Sequence, residues 1–207
     1  MLRTDPAKDR RQLDFKDAAL ASFGFLRTYS LKPVEEDVTF VRYESPAVFV
    51  NVFHGRGSLE VGVEIGRLDR TEKYGLDYIV SWAGKYAWES EGFGRGTIFQ
   101  VSTREGVQAI VPKVAAIVKK YGDPFLSGQP AFYDELQRAN ERASVAYERD
   151  QTLNRLCTEA DVAWKAKDFA RVAELLQPVR ADLTEVVGKR LAYAEKYVYS
   201  AAQEMRK

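Results

Sequence analysis

With 207 residues, of which 45% are apolar, 12% aromatic and 29% charged, the chain is long enough to bury a hydrophobic core and too apolar to be disordered. Its 31 Lys and Arg against 30 Asp and Glu leave neither half strongly basic, which argues against nucleic acid or an anionic membrane surface as a partner. One cysteine and one histidine exclude an internal disulfide and deprive a zinc or iron site of its usual ligands, so neither a metal nor another cofactor is expected.

The opening MLRTDPAKDRRQLDF is polar and charged where a secretory signal would be apolar. No run approaches the roughly 20 apolar residues of a membrane span, so a cytoplasmic location is expected. Asp5 followed by Pro6 reads as a helix start, and Phe15, Ala19 and Phe23, with Leu20 beside them, recur at helical spacing as far as Gly24. Four runs rich in Val, Phe, Tyr and Thr follow: FLRTYSL (25–31), DVTFVRY (37–43), AVFVNVF (47–53) and SLEVGVEIG (58–66). Short links between them predict an antiparallel meander of four strands or slightly more.

HGRGS (54–58) holds the only histidine beside two glycines, and turning the chain accounts for its composition. A type II′ turn centred on Gly55 and Arg56 would pair Val52 with Leu59, Val50 with Val61 and Val48 with Val63 on one apolar face. The other face would then pair Phe53 with Ser58, Asn51 with Glu60 and Phe49 with Gly62. Beyond the sheet, Leu76, Ile79, Val80 and Ala83 predict a short helix that Gly84 ends, and TIFQV (97–101) a short strand. The spacing of Ser102 to Glu105 is that of a capping box. The stripe Val107, Ile110, Val111, Val114, Ile117, Val118 and Tyr121 predicts an amphipathic helix, kinked at Pro112 or begun there, that Gly122, Asp123 and Pro124 stop. Residues 130–167 read as one long helix or two, with Cys157 as a small buried hydrophobe. Asp168 caps a short helix carrying Val172, Leu175 and Leu176, and a last helix starts near Thr184. The fold class expected is α+β: a sheet-containing domain over 1–122 and an all-helical region over 123–207.

Few residues here suggest catalysis. Glu60 and Glu64 share one face of their strand, which reads first as a solvated sheet face and second as a carboxylate pair for acid–base work. GFGRGT holds Gly92, Gly94 and Gly96 but lacks the lysine and following helix of a phosphate loop. Beside it, Lys85, Tyr86, Trp88, Phe93 and Arg95 have the aromatic and arginine character of protein contact surfaces. Trp88 and Phe93 are open to a second reading, as core or as cover for a sheet edge.

The stretch AWKAKDFARVAELLQP (163–178) resembles the hinge of a tetratricopeptide-type helical hairpin. Trp164 precedes the turn, Val172 and Leu176 face inward, Pro178 closes the motif, and Lys167 stands where a glycine is usual. The match covers one hairpin, so a peptide-binding array is not implied. The whole layout is similar to that of compact bacterial proteins, some of them immunity proteins that neutralise a toxin. What the residues and this resemblance imply together is a non-enzymatic protein-binding protein of bacterial type, serving toxin immunity, defence or secretion. The alternative is an enzyme acting on a nucleotide or small acid, with Gly92–Gly96 at the phosphate and Glu60 or Glu64 as base.

Overall fold

The computed structural model describes residues 10–84, 86–94 and 96–204. The start of the first predicted helix, Asp5 and Pro6, lies outside these residues. The chain forms two compact units, Met1–Glu135 and Leu136–Lys207.

The first unit is α+β. Its sheet has five antiparallel strands in sequential order: β1 (Lys32–Asp37), β2 (Phe40–Glu44), β3 (Val48–His54), β4 (Val61–Arg67) and β5 (Lys73–Gly75). Period-two alternation sends Val41, Tyr43, Val48, Val50, Val52, Val61, Val63, Ile65 and Tyr74 to one face, where all are buried. Two helices cover that face. α1 (Phe15–Ser22) packs on β2, and Tyr43 donates its hydroxyl to the Ala19 carbonyl at 3.3 Å. The first helix is broken at Asp14, which has a φ of 51°, leaving a separate 3-10 turn over Arg10–Leu13.

The predicted strand 25–31 is instead a 3-10 helix over Gly24–Tyr29, closed by Ser30 in the left-handed region at φ 61°. The edge strand begins one residue beyond that run, at Lys32. All six of its residues are exposed, so no apolar alternation marks it. Pro33 and the register shift between Pro33 and Glu35 suit an unpaired edge.

The β3–β4 register also differs from the two-residue turn. Val52 pairs with Val63, Val50 with Ile65 and His54 with Val61, which leaves a six-residue loop over 55–60. Gly55 does not take the positive φ of a II′ turn; the left-handed residue is Leu59, at φ 57°. The cause lies downstream. Val61 N–H donates to the Phe99 carbonyl (2.8 Å) and Val101 N–H to the Leu59 carbonyl (2.9 Å), so residues 59–61 pair with 99–101. The TIFQV run therefore contributes one bridge, Gln100 to Glu60, in place of a strand.

Four further helices complete the unit: α2 (Leu76–Trp82), α3 (Ala87–Ser90), α4 (Arg104–Tyr121) and α5 (Asp123–Leu126). α4 packs on α1 and β4 and buries Val107, Val111, Val114, Ile117 and Val118. Its cap is Thr103, whose side chain accepts from Gly106 N–H, and not Ser102. The helix neither starts at Pro112 nor stops there, because the proline and Gln108, whose carbonyl it leaves without an N–H, are both exposed. Residues 123–135 sit with the sheet. Phe125 packs against Tyr74 at 5.7 Å and Phe132 at 5.0 Å, and Tyr133 donates to the Phe125 carbonyl at 2.9 Å.

α6 is one helix over Pro130–Lys165. In the second unit its C-terminal turns join α7 (Phe169–Leu176) and α8 (Glu185–Glu204) around Ala160, Ala163, Val172, Leu175, Leu176, Leu191 and Ala194. Cys157 is half-buried against this cluster, and burial raises its thiol pKa. The turn between α6 and α7 is a paired C-cap: Lys167 N–H reaches the Trp164 carbonyl at 3.0 Å and Asp168 N–H the Ala163 carbonyl at 2.9 Å. The residue at its left-handed position is Lys167, with φ 59°. Lys167→Gly removes that strain and is expected to raise stability by about 1 kcal/mol, read as a higher denaturant midpoint.

Candidate functional site

The helix-free face of the sheet carries Arg42, Glu44, Asn51, Glu64 and Lys73 in one chain of contacts. Arg42 donates to Glu44 (2.6 Å) and to Asn51 Oδ1 (3.0 Å). Asn51 and Lys73 both donate to Glu64 Oε2, at 3.1 and 3.2 Å. Two aromatic rings lie across glycines beside this row. Phe49 covers Gly66 and Phe53 covers Gly62, the cross-strand partners that their registers assign. Arg42 stacks over the Phe49 ring at 4.3 Å.

At one side of this face the sheet, the start of α2 and residues 96–99 enclose a cleft of about 300 Å³. Phe53, Phe99 and Ile98 supply apolar walls, and among the described residues its charged lining is Glu60, Glu64 and Asp77, all acidic. Asp77 Oδ1 accepts the Gly96 N–H at 3.1 Å, which ties the glycine-rich loop to α2. Within the loop, Thr97 donates its hydroxyl to the Gly94 carbonyl at 2.6 Å, and Gly92 and Gly96 take left-handed φ values of 77° and 75°. This arrangement disfavours phosphate, since a carboxylate occupies the Gly96 N–H and two more line the cleft. A larger hollow of about 640 Å³ lies along α6 around Val145, Ala146 and Leu153, with a charged lining of mixed sign: Glu141, Arg142, Asp150 and the ion pair of Arg149 with Asp182. The smaller cleft is the better candidate because its described charged lining is of one sign beside apolar walls, with Glu60 outside the hydrogen bonds that hold Glu64 (from Asn51 and Lys73) and Asp77 (from Gly96 N–H).

Of the five residues singled out in the aromatic stretch, the three that the structure describes differ in burial. Trp88 is 2% exposed and belongs to the interior, with its Nε1 unpaired among the described residues. Phe93 is half-buried, edge-on to Phe99 at 5.1 Å. Tyr86 is 69% exposed. Lys85 and Arg95 lie outside the described residues. The stretch is anchored from α4: Lys120 and Tyr121 donate to Glu91 Oε1 at 2.5 and 2.6 Å, which holds the Glu91 carboxyl below its ordinary range. Ile98, 60% exposed on the cleft rim, and Asp77 were not found from the sequence; both acquire meaning only through the contact of the loop with α2.

His54 does not reach this site. It is 1% exposed on the opposite face, stacked on Phe15 at 5.6 Å. Nε2 lies 2.8 Å from the Val101 carbonyl and Nδ1 2.7 Å from Arg10 Nη1. Only donors suit a carbonyl and only an acceptor suits a guanidinium, so the partners assign a neutral ring protonated at Nε2. Burial lowers its pKa, aided by the Arg10 charge and opposed by the Val101 and Leu59 carbonyls. Among the described residues no group of three or more His, Cys, Asp and Glu could hold a metal ion, and no helix is long and apolar enough to cross a membrane. Comparison with family models, curated proteins and solved structures gives no match to this chain.

Proposed function

We propose that this chain is a non-enzymatic protein that binds another protein, and that the partner docks on loop 92–99 and the cleft beside it. The observation that carries the reading is the cleft itself, with apolar walls, Ile98 exposed at the rim and, among the described residues, a charged lining of Glu60, Glu64 and Asp77. A lysine or arginine from the partner would meet carboxylates there while the surrounding contact buries Ile98 and Phe53. A bacterial immunity, defence or secretion role agrees with the layout of the chain and belongs to the same proposal, as does the resemblance of the α6–α7 hinge to a tetratricopeptide-type hairpin.

Tagged full-length protein, used for capture from bacterial lysate and then for titration of the recovered partner, tests the surface. Ile98→Asp with Glu60→Lys is expected to weaken binding at least tenfold at an unchanged thermal midpoint. Undiminished affinity would remove the cleft from the interface. A chain that captures nothing and is stabilised by a nucleotide would overturn the binding reading in favour of the enzyme.

A further inference from the structure

We propose that His54 and Arg10 form an acid-released clasp, which holds the 3-10 turn Arg10–Leu13 against the β3–β4 loop near neutral pH and lets it go on acidification. From that turn the Arg10 side chain reaches across to the loop. It donates to His54 Nδ1, to the Gly55 carbonyl at 3.3 Å and to the Arg56 carbonyl at 2.6 Å. His54 is in turn fixed by the Val101 carbonyl and by its own N–H, which donates to the Thr39 carbonyl at 2.8 Å. The ring thus joins three segments distant in sequence, and it does so only while Nδ1 keeps a lone pair.

A proton added at Nδ1 converts the acceptor into a donor and places an imidazolium 2.7 Å from a guanidinium. Among the described residues no carboxylate is bonded to either cation; burial, the largest effect, opposes the protonated ring, while the Val101 and Leu59 carbonyls favour it. From α1 the ring meets Phe15, while Asp14 next to it pairs with Arg104 of α4 at 2.6 Å. From the end of β1, Asp37 pairs with Arg56 at 3.9 Å. On the β3–β4 loop, Glu60 lines the cleft described above. The 99–101 segment offers the Val101 carbonyl and no charged side chain. On this proposal the repulsion is relieved by movement of Arg10, which gives up both loop carbonyls. The sign follows from burial: His54 binds its proton less readily in the folded chain than at the ordinary value of 6.5, so the clasp is closed above 6.5 and opens as pH falls below it.

Because the chain has a single histidine, its imidazole resonances report this site alone. NMR titration of the full-length protein is expected to give a midpoint below 6.5, with the amides of Arg10–Leu13 and Gly55–Arg56 shifting at the same midpoint. Below pH 6.5 the unfolding equilibrium constant should rise by up to tenfold per pH unit. Arg10→Gln should move the midpoint upward by removing the neighbouring cation, and His54→Gln should leave the amides insensitive to pH across that range. A midpoint at or above 6.5, amides that do not follow the ring, or an unmoved midpoint in Arg10→Gln would each overturn the clasp. The arginine variant keeps the test decisive should His54→Gln not fold.

Discussion

Trp88→Ala is expected to destabilise the protein by about 3–5 kcal/mol, the usual cost of emptying a buried aromatic site. The indole is 2% exposed, and its backbone carbonyl accepts both Glu91 N–H and Phe93 N–H, each at 3.1 Å. Alanine keeps those backbone bonds, so the cost falls on the lost packing of the indole in the interior. Trp88→Phe should cost less than alanine, because it retains much of the volume and removes a buried N–H that has no partner among the described residues, a group whose burial costs about 1–3 kcal/mol. Ile98→Ala, by contrast, should stay within about 0.5 kcal/mol of the parent, since its side chain faces solvent. Urea midpoints of the three variants separate an interior residue from a contact residue. Equal losses for Trp88→Ala and Ile98→Ala would mean that the two positions do not differ in this way.

Gly66→Ala should cost about 1–3 kcal/mol, in the range of overpacked interiors. A Cβ built there lies 2.6 Å from Cζ of Phe49 and 2.7 Å from the backbone oxygen of Glu72. Phe49 is 5% exposed and held from its other side by Arg42, so the ring has little room to retreat, and the Glu72 carbonyl has less. Gly62→Ala makes an instructive contrast. Its nearest contacts are all with the Phe53 ring, the closest at 2.3 Å, and Phe53 is only half-buried. Swinging that ring outward relieves the clash, so the cost should be lower and should largely vanish when Phe53→Ala is added. The same denaturation series measures both. Equal costs at the two glycines would mean that the backbone contact at Gly66 is not decisive.

The inward face of the sheet was legible because period two survives the error in register. The observed pairing differs from a two-residue turn by an even number of residues, so Val48, Val50, Val52, Val61 and Val63 stay on the face assigned to them. The register itself was not legible, since it depends on residues 99–101, some forty positions downstream of the segment they pair with. β1 carried no signal because an exposed edge strand needs no apolar alternation. At the candidate site, Glu60 and Glu64 could be placed on one face from their spacing, and they do line one cleft. Asp77 could not be added, because a carboxylate meeting a backbone N–H nineteen residues away leaves no local pattern. Composition drew attention to Trp88 and Tyr86 alike, but aromatic content does not distinguish a ring that anchors a loop from one that faces solvent.

The long helix α6 has a consequence for how the chain breathes. Residues 141–152 are exposed without exception, although buried residues occur towards both ends of the helix, at Tyr133 and at Ala160 and Ala163. Twelve residues are about the length at which an isolated helix is marginal in water. The middle of α6 thus keeps its winding chiefly because turns on either side template it, with help from the Arg149–Asp182 ion pair. Its amide protons would accordingly exchange with solvent by local opening, long before those of the buried turns, and a protease would find its first foothold there.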